Sequence, residues 1–359
     1  MLHAAGGGLL ALALGPVTFA TLHASAYDVR DPATWSNWQL AAQLTVSCVD
    51  MGDLGDARRQ AAAGIGGLTL LGTPPRQGLG RRLATARRAA PHGLAPFVMS
   101  DEEGGSVQRL RQVVYPLPSA ATMGTWSPSR VHRTARAYGT RLRRLGVQMD
   151  LAPVADLTVR GSYMTSLRRT FGSDPRMVAR SVQAWRLGMD EAKVASALKH
   201  WPGHGHAANT HDRAAAVPPV AVLQRRDMVP FDLELAAGAA VVMVGHLTSR
   251  GLTEPGVPAS ESPRALRYLR GRAGNETVIL TDSLSMTAAS TAQGLTPIGA
   301  AVRSLRAGAD WALVCNRHPL RAVAAIRDSI TSGRLPRPQA VASARRIVAL
   351  KARYGLAPR

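Results

Sequence analysis

Residues 199 to 212 read KHWPGHGHAANTHD, which sets four histidines, a lysine and a Pro-Gly turn in fourteen positions. Lysine is rare in the chain: Lys193, Lys199 and Lys351 are the only three among 44 basic residues. Such a stretch could hold a metal or move a proton. Zinc needs three or four ligands that converge on one point. The spacing of His200, His204, His206 and His211 matches no such motif, and Pro202, Gly203 and Gly205 would scatter the rings. Neither a metal nor a cofactor is implied. The other reading is proton transfer, which pairs this loop with carboxylates elsewhere in the chain.

Those carboxylates end short apolar runs. The runs cover 43–48, 66–72, 96–101, 149–156, 196–201, 241–246, 277–282 and 311–315. Asp101, Asp156, Lys199-His200, His246, Asp282 and Asn316 lie at or just after the ends of six of them. Between them lie segments of helical period, including 129–146, 174–194 and 223–239, the first two with Ser129 and Asp174 as N-caps. Eight nearly continuous apolar strands alternating with helices predict an α/β fold, a (β/α)8 TIM barrel in a single domain. A barrel gathers the polar strand ends on one face, where it can build a site. Residues 317–359 read as a last helical layer, with no internal repeat and no second domain.

Composition sets the outer limits. The chain has 359 residues, 46% apolar and 19% charged, as an ordinary globular protein does. A net charge of +21, nearly all arginine, favours anionic partners, and cell-envelope polymers fit best. Aromatics are only 4% and the arginines follow no basic-aromatic stripe, which argues against specific nucleic-acid binding. Residues 1–26 read as a signal peptide or apolar N-terminal segment, with Ala24-Ser25-Ala26 as a cleavage site, ahead of a barrel domain at 27–359. No other stretch is long and apolar enough to span a membrane, so a secreted or envelope-associated protein is expected. Cys48 and Cys315 fall in apolar strand runs; if the barrel closes they could lie close together, and both are expected as free thiols.

Six segments occur in a telling order: PFVMSDEEGGSVQRL, LGVQMDLAPVADL, RRTFGSDP, ALKHWPGHG, VVMVGHL and VILTDSLSM. Over roughly residues 38 to 355 the chain resembles the family-three glycoside hydrolases, in their single-domain β-N-acetylhexosaminidase branch. The resemblance implies Asp282 as nucleophile in a retaining mechanism. It implies Asp101, Arg109, Arg169, Lys199 and His200 as sugar-binding residues, with Asp156 and His204 as loop scaffold. A compact ammonium reaches a single oxygen in a tight pocket as a guanidinium fork does not, which explains a lysine at 199. The branch's proton donor is the histidine of a D-[ST]-H triplet. The matching triplet here is Asn209-Thr210-His211, in a loop one residue shorter.

Asn209 can hold the His211 ring but supplies no charge to stabilise an imidazolium. Asp212 could substitute if it turns inward, and His206 is a spare donor. Ser106 stands where the family usually has arginine, and Leu167-Arg168 where Gly-Asp is common. Three readings remain open. The first is an exo-β-N-acetylglucosaminidase acting on terminal GlcNAc of cell-wall or chitin fragments. The second is an attenuated or non-catalytic glycan-binding homologue. The third is a phosphorylase that uses phosphate in place of water.

Overall fold

The eight apolar runs form eight parallel strands. They are β1 (Thr45–Asp50), β2 (Gly67–Leu71), β3 (Phe97–Ser100), β4 (Met149–Asp150), β5 (Ala195–Trp201), β6 (Val241–Val244), β7 (Val278–Thr281) and β8 (Ala312–Val314). The computed structural model describes residues 28–358, so the apolar segment at 1–26 lies outside the described residues. The strands pair in chain order from β1 to β7, and β8 pairs with β1. The last gap, between β7 and β8, is bridged at Leu280 and Trp311. There the Thr281 amide donates to the Trp311 carbonyl at 2.9 Å, and the Leu313 amide to the Thr281 hydroxyl at 3.0 Å. The ring is thus closed with few seam bonds, as its short eighth strand requires.

The helices pack outside. They are α1 (Asn37–Gln43), α2 (Leu54–Ala62), α3 (Leu79–Arg88), α4 (Pro128–Leu145), α5 (Pro175–Glu191), α6 (Val220–Arg225), α7 (Val229–Ala236), α8 (Pro263–Ala273), α9 (Pro297–Ala307), α10 (Pro319–Thr331) and α11 (Arg337–Arg353). α1 precedes β1, α6 and α7 share one connection, and α10 and α11 form the final layer. α4 and α5 cross closely because Gly188 lies on the His132 carbonyl; a Cβ there would sit 2.4 Å from that oxygen.

Three sequence expectations need correction. Ser129 is not the cap of α4. Ser127 holds that position and Pro128 opens the helix, its fixed φ and missing N–H suiting the first turn. Asp174 does cap α5, accepting from the Met177 amide at 2.7 Å. The segment 223–239 is two helices, because the chain leaves helical geometry at Arg226 and restarts ahead of Pro230.

The third correction concerns the cysteines, which form a disulfide rather than two free thiols. Parallel register pairs Ser47 with Val314, so Cys48 and Cys315 come next, side by side. Their Cα atoms are 4.8 Å apart, close to ordinary strand spacing and inside the range a disulfide accepts. The bond closes a loop of 267 residues and ties the first strand to the last at the mouth of the barrel. Thiol titration in denaturant without reductant is therefore expected to find none, and reduction to lower unfolding free energy by about 2–4 kcal/mol. Two titratable thiols would contradict the bond.

Candidate active site

A cavity of about 440 Å³ opens at the carboxyl ends of the strands. It is lined by Asp101, Arg109, Arg169, Lys199, His200, Asn209, His211 and Asp282, so the implied nucleophile, the five sugar-binding candidates and two members of the donor triplet meet there. Lys199 and His200 are consecutive on β5, where strand alternation alone would send one of them away. The pairing of β5 with β6 slips by one residue between Leu198 and Trp201. That bulge allows neighbouring side chains to share one face.

Lys199 lies at the centre of a buried charge lattice. Its Nζ donates to Asp101 Oδ1 at 2.7 Å and lies 2.7 Å from Glu103 Oε1. Arg169 grips the same Glu103 through Nε and Nη2 at 2.7 and 2.8 Å, a two-pronged pairing. Arg109 Nε is 3.8 Å from Asp101 Oδ2, and its side chain is 43% exposed. Burial pushes Glu103 up, but Lys199 and Arg169 outweigh it and hold the carboxyl down at about 2. Burial pushes Lys199 down, and Asp101 and Glu103 reverse this, so its ammonium is kept charged.

Glu103 was not singled out from the sequence, yet strand periodicity could have found it. Asp101 and Glu103 are two apart and face the same side. The residue between them, Glu102, points the other way. It accepts from Ser100, Tyr138 and the Leu110 amide, and burial lifts it to about 7 against these hydrogen bonds. It thereby anchors a short antiparallel hairpin, Glu102–Gly104 with Val107–Gln108, which contains Glu103 and is flanked by Asp101 and Arg109.

The second cluster surrounds β5's end. Asp156 is fully buried and accepts from the His200 and His204 amides at 3.1 and 2.7 Å. Its other oxygen lies 2.7 Å from His200 Nδ1, which fixes that ring's orientation. His204 packs beside them; burial and His200 push it down to about 4, so it is neutral and structural.

Asp282 follows β7 directly and is 8% exposed. Burial pushes its carboxyl up, but His200, His246, the Ser283 amide and Lys199 together hold it below its ordinary value. His246 explains part of this. Its Nε2 is 2.9 Å from the Ser283 carbonyl, which can only accept, so Nε2 carries a proton, and Nδ1 lies 2.8 Å from the Ser260 hydroxyl. Burial pushes the His246 imidazole down while Asp282 pulls it up, and its contact with the Ser283 carbonyl braces the backbone next to Asp282. Asn316, by contrast, only stabilises its own turn by accepting from the His318 amide.

The loop after β5 brings His211 to the cavity's edge. Its tip rests on the loop after β7: the Ala288 amide donates to the Thr210 carbonyl at 3.2 Å, and the Thr287 amide to that of His211 at 3.4 Å. Asn209 does not hold the His211 ring. Its Oδ1 accepts from the His211 amide and its Nδ2 donates to Asp212 at 2.8 Å. Asp212 is exposed and bound to Asn209, and the structure does not place it at the cavity. His206 also stays outside the cavity, paired with Asp227. Among the described residues, no three histidine, cysteine or acidic side chains gather as a metal would require.

The family description "Glycosyl hydrolase family 3 N terminal domain" matches residues 60–350. The chain belongs to glycosyl hydrolase family 3. Its curated relatives include the beta-hexosaminidase LpqI of Mycobacterium tuberculosis, 35% identical over 279 residues, covering 75% of this chain and 71% of that protein. A beta-hexosaminidase of Xanthomonas oryzae is 35% identical over 246 residues, 66% of this chain and 71% of that one. Among solved structures, a family member from Mycobacterium smegmatis superposes with a TM-score of 0.81 at 34% identity, over 89% of this chain and 98% of that one. A β-N-acetylglucosaminidase from Paenibacillus gives 0.82 at 27% identity, over 90% and 63%. The protein is a glycoside hydrolase on a TIM barrel, and the charged cavity is its candidate active site.

Glu103→Gln tests the lattice. It leaves two buried cations short of a counter-charge and is expected to destabilise the fold by about 3–5 kcal/mol at neutral pH. Because Glu103 is held below its ordinary 4.5, its stabilisation is full above that pH and fades as pH falls through about 2. That acid loss of stability, read by urea unfolding at a series of pH values, is expected to shrink in the variant. An unchanged profile would contradict the assignment.

Proposed function

We propose that the protein is a retaining exo-β-N-acetylglucosaminidase that removes terminal GlcNAc from cell-wall or chitin fragments. One observation carries the reading: an ionised Asp282 shares a sugar-sized cavity with the Lys199 lattice and the His211 imidazole. In the first step an Asp282 oxygen bonds to the anomeric carbon as the bond to the leaving oxygen breaks, and His211 delivers a proton to that oxygen. In the second, neutral His211 takes a proton from water, whose oxygen bonds to the anomeric carbon as the bond to Asp282 breaks. Asp101, Lys199, His200, Arg109 and Arg169 hold the ring hydroxyls meanwhile. The beta-hexosaminidase relatives support the substrate class.

Export fits the same reading. A disulfide persists in an oxidising compartment, and an anionic envelope would attract so basic a surface. Among the described residues no helix is long and apolar enough to cross a membrane.

Asn209 favours a second reading, an attenuated homologue that binds glycan with slow or no turnover. Among the described residues the His211 ring has no carboxylate partner: Asn209 is neutral, and Asp212 is bound to Asn209 away from the cavity. Two outcomes are expected. Wild type releases the aglycone from an aryl N-acetyl-β-glucosaminide and Asp282→Asn does not; equal release by both would refute the nucleophile. Asn209→Asp is expected to raise the rate about tenfold or more on poor leaving groups and little on activated ones. Sugar binding without turnover of even an activated substrate would establish the second reading instead.

A further inference from the structure

Between β5 and the tip that carries His211, the chain makes one contact that the sugar cavity does not use. His206 Nε2 lies 3.3 Å from Asp227 Oδ1, an ion-pair distance without hydrogen-bond alignment. Asp227 is completely buried, in the break between α6 and α7, and among the described residues neither of its oxygens finds a hydrogen-bond donor. His206 is about a quarter exposed at 26%. The other charged groups that act on Asp227 are Arg226, which favours its charge, and Asp156, which opposes it. A buried carboxylate so placed depends on the nearby imidazole.

The backbone fits this contact closely. Gly203 has φ +123° and lies against Asp227, where any Cβ would come within 2.8 Å of that of the aspartate. Gly205 lies against the Leu157 carbonyl, with a would-be Cβ only 2.4 Å away. Asp156 fixes the loop's first turn through the His200 and His204 amides. Asp227 fixes the next one through His206. The tip, five residues past His206, rests on the loop after β7.

The geometry points to Asp227 and His206 as a positioning pair that sets where the loop presents His211, and so sets the efficiency of proton donation. This rests on His211 being the donor. Neither member touches the sugar cavity, so the pair acts through loop position alone.

Kinetics across leaving groups test it. His206→Gln, Asp227→Asn and the exchange His206→Asp with Asp227→His would be compared with wild type and His211→Ala. The substrates are aryl N-acetyl-β-glucosaminides ranging from dinitrophenyl, which needs no proton, to phenyl, which does. A misplaced donor is expected to lower kcat by about 10- to 100-fold on the phenyl substrate and less than about threefold on the dinitrophenyl one. KM should hold, because the Lys199 lattice is untouched, and the exchange should recover part of the loss.

A parallel fall on all substrates, or no fall in His206→Gln, overturns the pair's role. His206→Gln sits at a partly exposed position and covers the case in which Asp227→Asn does not fold. If His211→Ala shows no leaving-group-dependent loss, the donor assignment falls and the positioning role with it. If His211→Ala shows the loss and the pair variants do not, only the positioning role falls.

Discussion

A lysine ammonium buried between two carboxylates, each 2.7 Å away, is the contact on which the cavity depends. Removing such a charge from water is costly, and it is tolerated only when opposite charges and hydrogen bonds replace the solvent. Asp101 and Glu103 supply both, and Arg169 completes the charge count from the far side of Glu103. The groups that would meet sugar hydroxyls are thus fixed before any sugar arrives. Preorganised polar groups pay no reorganisation at the moment of reaction, which is where such sites gain rate.

That arrangement exists only because the barrel closes. Asp101 follows β3, Lys199 ends β5 and Asp282 follows β7, and a ring of parallel strands brings them to one mouth. Lys199, which helps to hold Glu103 ionised, also acts on Asp282 at the same mouth. The imidazole opposite belongs to a different kind of support, a loop clasped at its base by Asp156 and at its tip by the chain after β7. Strand ends therefore carry the nucleophile candidate together with Asp101 and Lys199, while the proton donor candidate rides on a loop held by the Asp156 carboxylate and by backbone bonds to the chain after β7.

Much of this was legible because parallel strands buried on both faces must read as apolar runs, and because a barrel collects its strand ends. The limits are equally physical. Ser129 looked like a cap, but Pro128 decides the first turn. The apolar period across 223–239 hid a break at Arg226, where the backbone leaves helical geometry before a second helix that has Pro230 in its first turn. Cys48 and Cys315 were expected to lie close if the barrel closed, but were read as thiols because the geometry of neighbouring strands rarely suits a bridge; here the register brings their Cα atoms to 4.8 Å and the bond forms. Glu103 was visible in the two-residue period of Asp101 and Glu103 but was overshadowed by its neighbour. The Asp227 contact joins residues 21 apart across a helix and left no local pattern. Lysine scarcity was a sound clue: of the three, Lys199 and Lys351 are both buried, and Lys351 donates to Gln43 at the opposite, closed end of the barrel.

The most direct test of the central claim is to trap the covalent intermediate. In His211→Ala, a dinitrophenyl N-acetyl-β-glucosaminide needs no proton to leave, but the water step lacks its base, so a glycosyl-enzyme should accumulate. Peptide mass mapping is expected to find one N-acetylhexosaminyl group on Asp282 and a product of retained configuration. An adduct on another residue, or an inverted product with no adduct, would contradict the account.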